Sequence, residues 1–72
     1  MIEQELKAEM VRHNDRQEDL ALALGMSTSA LNLRIKGKIP FKQPEIENIA
    51  FRYNLTAEGI QRIFFAKTCH LQ

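Results

Sequence analysis

Cysteine, tryptophan and long apolar runs are nearly or wholly missing from this chain of 72 residues. The single cysteine, Cys69, cannot form an internal disulfide, and the two histidines, His13 and His70, lack the paired Cys/His spacing of a zinc site. No apolar run approaches the ~18 residues that cross a bilayer, and the first residues are acidic rather than signal-like. We therefore expect a cytoplasmic protein with no membrane association, no metal and no other cofactor.

The chain also lacks linkers, internal repeats and segments in which apolar and polar residues alternate as they do in a β-strand. The chain has three glycines and two prolines and no Pro/Gly/Ser-rich tract, and it is too short for two cores. Its hydrophobic content of 44% predicts a folded domain over residues 1–66 with a frayed tail at 67–72. No serine or cysteine has a recognisable base partner, and ~70 residues rarely enclose a pocket. We expect neither an enzyme nor a small-molecule substrate.

What the chain does contain is apolar residues at helical spacing in five segments, which predicts an all-α fold of five short helices. Asp15, followed three residues later by Glu18, resembles a capping box that starts helix 2. Gly25 suits the end of that helix, and Ser27 can cap helix 3, predicted over residues 28–36. The residues expected to face the core are Ile2, Leu6, Met10, Leu20, Ala21, Leu24, Ala30, Leu31, Ile35, Phe41, Ile46, Ile49, Ala50, Tyr53, Ile60, Ile63 and Phe64.

The second half of the chain also contains residues that start and end helices. Gly37 ends helix 3, Pro44 suits the first turn of helix 4, Asn54 stops that helix, and Thr56 can cap helix 5. Phe65 follows Phe64 at about 100° around helix 5, so both rings are buried only if something covers two faces. Either the tail folds back on Phe65 or a partner covers it, and a second copy in a homodimer is one such partner.

Charge is unevenly distributed along the chain. Residues 1–19 hold six acids against three bases, whereas residues 34–42 hold Arg34, Lys36, Lys38 and Lys42 and no acid. Such a patch can meet phosphates or an acidic protein surface, and the alternative is four solvated bases around a loop.

Helices 2 and 3, joined by a tight glycine turn, form an arrangement that fits a helix into a major groove about 12 Å wide. Hydroxyls at the start of helix 3 can approach base edges or phosphate, and an asparagine amide can pair with adenine. A leucine can touch a thymine methyl, lysines can reach the backbone, and a glutamine at the start of helix 2 can brace the docking. The candidate binding residues are Gln17, Thr28, Ser29, Asn32, Leu33, Lys36 and Lys38.

Residues 17–21, 24–27, 29–32 and 36–38 resemble the lambda-repressor-like, or Cro/repressor (XRE-type), helix-turn-helix family. Residues 41–42, 45–46, 49–50, 53–56 and 63–65 look like the second half of small regulators from temperate phages of Gram-positive bacteria. The opening residues 1–6 and the short length are similar to lytic-switch proteins of the Cro or modulator-of-repression type. The resemblance covers nearly the whole chain and implies a lambda-repressor-like domain with its helix-turn-helix at helices 2 and 3.

The resemblance implies a regulator of the lysis-lysogeny switch that favours the lytic state in one of two ways. It would occupy operator double-stranded DNA as a transcriptional regulator, or it would act as an antirepressor that binds the CI-type repressor protein of the same phage. A structural homologue inert toward DNA is the third reading.

Three features bear on that choice. The net charge of +1 is low for a tight DNA binder, because non-specific affinity comes from phosphate neutralisation. Leu33 on the reading face can equally anchor a protein contact. Arg16 stands where many relatives have Ser or Thr, which moves the expected cap to Asp15 and brings a carboxylate near the phosphate position.

Overall fold

Five α-helices lie within residues 2–65, the part of the chain that the computed structural model describes. They are α1 Ile2–Arg12, α2 Gln17–Leu24, α3 Thr28–Ile35, α4 Gln43–Arg52 and α5 Ala57–Phe64. These residues contain no strand, which confirms the predicted all-α class, and no helix among them is long and apolar enough to cross a membrane. The predicted tail at 67–72, with Cys69 and His70, lies outside the described residues.

The core is built from the predicted apolar rows of all five helices. Each fully buried apolar residue was expected from its spacing, and the flanking positions Ile2, Leu24, Phe41 and Phe64 pack against them half-buried. Phe41 meets the edge of Phe64 at a ring-centroid distance of 5.4 Å, so the loop before α4 closes over the core as predicted. The buried residues are Leu6, Met10, Leu20, Ala21, Leu31, Ile35, Ile46, Ile49, Tyr53 and Ile63.

Four helices end in the same way, with one residue in the left-handed conformation just after the helix. These residues are Asn14, Gly25, Gly37 and Asn54, with φ angles between 53° and 83°. After α2, the amide of Met26 donates to the carbonyl of Ala21 at 3.0 Å, the bond expected of a Schellman motif. The predicted stops at Gly25, Gly37 and Asn54 are therefore confirmed.

Two helix starts are capped as the sequence predicts. The hydroxyl of Ser27 accepts the amide of Ala30 at 3.1 Å, and the hydroxyl of Thr56 accepts the amide of Gly59 at 3.1 Å. Pro44 lies in the first turn of α4, where its missing amide costs nothing.

The predicted cap of α2 is wrong. Arg16, not Asp15, is the N-cap residue; its side chain accepts no hydrogen bond, and only the Asp19 carboxylate completes the turn, accepting the Arg16 amide at 3.4 Å. Asp15 instead accepts two hydrogen bonds of 2.8 Å from Arg52 and a third from the Tyr53 hydroxyl. A carboxylate gains more from a guanidinium and a phenol than from a helix-end amide, and so it turns toward α4.

Helix α3 is one residue shorter than predicted, because Lys36 is its C-cap, and α1 ends at Arg12 with His13 in the turn that follows. Helix α1 also carries a buried acid that its apolar pattern does not reveal. Glu9 is 5% exposed, accepts from Arg12 and lies 3.5 Å from Arg62 of α5. This contact helps to hold α1 against α5.

Candidate recognition surface

Helix α3 turns one row of residues toward the core and another toward solvent. Leu31 and Ile35 are buried, so Ser29, Leu33 and Lys36, at helical spacings of four and three, fall on the outward side. Ser29 and Lys36 are exposed, and Leu33 is 38% exposed. We call these three residues the outer row of α3.

A second row lies beside the outer row. Thr28 is exposed and Asn32, one turn later, is half-buried. Helix α3 has no acidic residue in its first turn, whereas each of the other four helices described over residues 2–65 has at least one. The positive end of the α3 dipole is therefore not offset by a carboxylate of its own helix, and Thr28 and Ser29 present hydroxyls there.

Apart from Lys36, the C-cap of α3, two predicted site residues lie outside this helix. Lys38 follows the helix and is exposed, and its backbone amide donates to the Leu33 carbonyl at 2.9 Å, which places it at the C-terminal end of the outer row. Gln17 is the half-buried first residue of α2, and its side chain makes no hydrogen bond to the residues described here. The fold thus brings six of the seven predicted residues to α3 and the turn that follows it.

Two of the four bases predicted to form an acid-free patch are paired in three dimensions. The Arg34 guanidinium lies 3.0 Å from the Glu45 carboxylate and donates to the Ala30 carbonyl at 3.1 Å, with 13% of its side chain exposed. Lys36 lies 3.2 Å from the Glu3 carboxylate of α1. The absence of acids between residues 34 and 42 is real in the sequence but does not hold for the folded surface.

Lys38 and Lys42 are the two bases of the patch that remain available. Both are exposed, and neither has an ion-pair partner within residues 2–65. The patch therefore offers two free positive charges rather than four.

Glu3 is the acid that matters most for the outer row. Its carboxylate accepts hydrogen bonds from Lys36 at 3.2 Å and from Lys7 at 3.3 Å, and these bonds hold its pKa below the ordinary value. A ligand phosphate that takes Lys36 must compete with this carboxylate. The Glu3–Lys7 contact follows from i, i+4 spacing, but no sequence signal links Glu3 to a residue 33 positions away.

Apolar side chains complete the surface around α3. Leu33 is accompanied by Ile39, which is 37% exposed and whose amide donates to the Leu33 carbonyl at 3.3 Å. Leu33 and Ile39 are thus joined at the C-terminal end of α3, and Lys38 precedes Ile39 in the turn that follows the helix.

A polar cluster at the N-terminal end of α2 stabilises the fold and takes no part in the surface around α3. The hydrogen bonds from Arg52 hold the pKa of the Asp15 carboxyl below its usual value, and burial, together with Asp15, raises the pKa of the Tyr53 hydroxyl. His13 stacks on Tyr53 at 4.8 Å. Each polar group of the cluster is satisfied by another, so the cluster links the α1–α2 turn to α4. Among residues 2–65 there is no grouping of three His, Cys, Asp or Glu side chains that could hold a metal ion.

The fold and the surface define a small all-α protein that presents the polar side and one leucine of a short helix to solvent. The chain belongs to the BetR domain family, whose family model matches residues 1–67. This is a small phage-associated domain family, and membership indicates a phage-related regulatory protein. No curated protein and no solved structure matches the chain. The predicted phage regulator is confirmed at this level, and the lambda-repressor-like helix-turn-helix stays a prediction.

Proposed function

We propose that this chain is an antirepressor of a phage genetic switch, which binds the CI-type repressor of the same phage through the outer row of α3 in a helix-turn-helix formed by α2 and α3. The observation that carries the proposal is the exposure of Leu33 at the centre of a row whose only base, Lys36, is engaged by Glu3. An exposed leucine in this row gains free energy when a protein partner buries it, and it gains little from a phosphate backbone.

The charge of the folded surface supports a protein ligand. Tight DNA binders neutralise roughly six to ten phosphates, and each neutralised phosphate needs a base that is free to leave its own surroundings. Near α3, Lys38 and Lys42 have no ion-pair partner within residues 2–65, Lys36 is paired and Arg34 is mostly buried against Glu45. Two free bases supply little of the affinity that phosphate contacts give.

Operator DNA is the second candidate ligand, and the start of α3 favours it. The first turn carries no acid, the hydroxyls of Thr28 and Ser29 are exposed, and the Asn32 amide lies one turn later. Short polar side chains in this position can reach base edges in the major groove. In this mode Lys36 and Lys38 contact phosphate and Gln17 braces α2 on the backbone.

The test is a calorimetric titration of the purified protein against the repressor, against operator DNA, and against both together. An antirepressor binds the repressor and releases it from DNA without binding the DNA itself. Binding to the operator alone would favour the second candidate. Binding to neither ligand would favour a DNA-inert homologue and would end both proposals.

Leu33→Asp tests the surface within the first mode. A buried uncompensated charge costs several kcal/mol, so we expect repressor affinity to fall by about a hundredfold or more. Val11→Asp is the matched control, because Val11 is 79% exposed on α1, away from α3, and its replacement should leave affinity unchanged. Unchanged repressor binding by Leu33→Asp, with the variant folded by circular dichroism, would reject this surface.

Glu3→Gln separates the two modes. Removing this carboxylate frees Lys36, so DNA affinity should rise and the slope of log K against log salt should steepen by about one unit if Lys36 then contacts phosphate. Glu5→Gln makes the same change in net charge but removes only one of the two acids near Arg62 of α5, which keeps Glu9, and serves as the control. Equal effects of the two variants on DNA binding would exclude a phosphate contact at Lys36.

A further inference from the structure

The turn after α3 holds an apolar residue that the sequence did not predict to be part of the binding site. Ile39 is 37% exposed, almost the same as Leu33 at 38%, and it is not one of the buried core residues. A single exposed isoleucine in a loop is ordinary in a soluble protein. What distinguishes Ile39 is the way in which the turn attaches it to Leu33.

Helix α3 ends in a complete Schellman motif. Lys36 is the C-cap residue, and Gly37 follows it in the left-handed conformation with a φ of 83°. The amide of Lys38 donates to the carbonyl of Leu33 at 2.9 Å, and the amide of Gly37 donates to the carbonyl of Arg34 at 3.1 Å. These are the two hydrogen bonds that define the motif, so the path of the chain after α3 is fixed by the helix itself.

This motif returns the chain to Leu33. The side chains of the two residues joined by its longer hydrogen bond are often in contact, and here these residues are Leu33 and Lys38. The apolar stem of a lysine can lie along a leucine while its ammonium group stays in water. The amide of Ile39 donates to the same Leu33 carbonyl at 3.3 Å, so residues 38 and 39 both meet the last turn of α3. We call Leu33, Lys38 and Ile39 the turn anchor.

The turn anchor combines two half-exposed aliphatic side chains with one available positive charge. Lys38 is exposed and has no ion-pair partner within residues 2–65, whereas Lys36 is held by Glu3. A phosphate group would pair with the ammonium group but would leave both aliphatic side chains uncovered. An apolar pocket on a protein, with a carboxylate at its edge, would bury the aliphatic groups and pair with the lysine.

We propose that the turn anchor is the part of this chain that enters the repressor, and that its site on the repressor is an apolar pocket bordered by an acidic side chain. This inference rests on the proposed function and adds two things to it. Ile39 becomes a binding residue, although it lies outside helix α3. The partner surface acquires a stated chemistry, in which burial of Leu33 and Ile39 supplies affinity and the Lys38 ion pair sets the orientation.

Calorimetric titration against the purified repressor tests the apolar half of the turn anchor. Ile39→Ser should weaken binding by about tenfold, since an aliphatic side chain no longer fills the pocket. Val11→Ser is the matched control, because Val11 is 79% exposed on α1 and its replacement should leave binding unchanged. Circular dichroism checks that both variants are folded.

A double-mutant cycle shows whether the two aliphatic side chains enter one pocket. Side chains that share a pocket are energetically coupled, whereas distant ones act independently. The loss for Leu33→Ala with Ile39→Ser should therefore differ from the product of the two single losses by at least about threefold. Leu33→Ala with Val11→Ser is the control pair, and its losses should multiply.

Charge reversal tests the acidic edge of the pocket. Lys38→Glu places a carboxylate against the acid of the partner, so repressor binding should weaken by at least about tenfold. Lys42→Glu makes the same change in net charge at another exposed lysine that has no ion-pair partner within residues 2–65. Because Lys42 lies outside the turn anchor, its reversal should weaken binding by less than about threefold.

Three results would overturn the turn anchor. They are unchanged repressor binding by Ile39→Ser, losses that simply multiply in the Leu33 and Ile39 cycle, and equal effects of Lys38→Glu and Lys42→Glu. If any of these occurs while Leu33→Asp still abolishes binding, the proposed function stands and only the turn anchor is wrong. A wild-type protein that does not bind the repressor at all would overturn both.

Discussion

Replacement of Asp15 by asparagine removes one negative charge while leaving the side chain almost the same shape. The carboxylate is 9% exposed and accepts two bonds from Arg52 and one from Tyr53. Buried bonds to a charged group contribute about 1.5–3 kcal/mol each, but a third of the Arg52 side chain is exposed, which screens its share. We expect the free energy of unfolding to fall by about 2 kcal/mol for Asp15→Asn.

A loss of this size is easy to measure in so small a domain. A chain of this length has a total stability on the order of 4–11 kcal/mol, and each kcal/mol lowers the Tm by about 4–8 °C. Urea titration and thermal melting, both followed by circular dichroism at pH 7, should therefore show a Tm lower by about 8–16 °C. Asp19→Asn is the control: its carboxylate is 48% exposed and makes one long bond, so the loss should stay below about 0.5 kcal/mol.

The pH dependence provides the second readout. Because the folded pKa of Asp15 lies below its unfolded value of about 3.9, its contribution is present above that value and is lost as pH falls through the folded pKa. Wild-type stability should therefore drop below about pH 4 by more than that of Asp15→Asn. An Asp15→Asn variant whose stability at pH 7 equals that of the wild type, or whose acid titration is unchanged, would refute the assignment of Asp15 as the link between the α1–α2 turn and α4.

The remaining predictions concern helix ends. Arg16→Ser supplies the missing side-chain cap of α2 and should raise the urea midpoint by an amount equivalent to about 1 kcal/mol; an unchanged midpoint would contradict the absence of a cap. Gly25→Ala should cost about 1–2 kcal/mol, because its φ is +73° and nothing lies within 4 Å of an added Cβ to offset the strain. Gly59→Ala should do the opposite and stabilise by up to about 1 kcal/mol, since that glycine is helical and its Cβ would meet Leu55 at an ordinary 3.5 Å; the same sign for both variants would disprove the reasoning.

The helices and the core were predictable because their signals are local. The spacing of Leu6 and Met10, or of Ile46 and Ile49, is enough to predict a buried helix face. The residue types of Gly25 and Ser27 are enough to predict the end of α2 and the start of α3. The α2 cap was mispredicted because Asp15 had two possible partners. The sequence shows the nearby helix amide, while Arg52 and Tyr53 come into reach only after α4 packs against α2.

The exposed side of α3 was predictable in position but not in charge. Exposure of Ser29, Leu33 and Lys36 follows from burial of the opposite side of α3, which helical geometry supplies. Lys36 pairs with Glu3 and Arg34 with Glu45, and each pair joins two different helices. A count of charges along the sequence cannot predict such pairs. This is why the sequence left DNA and repressor evenly matched as ligands, and these two ion pairs are the reason that we propose the protein.

The left-handed residues that close α1, α2, α3 and α4 also bear on how quickly the chain finds its fold. Each closing hydrogen bond joins residues no more than five apart, as from Leu55 to Ala50 or from Asp15 to Met10, so every boundary is set within a single turn of chain. Small helical domains dominated by such short-range closures fold on the microsecond to millisecond scale. Once its chain is complete, a protein built this way should expose its apolar rows only briefly, because the helices that dock are limited to the right length by their own ends.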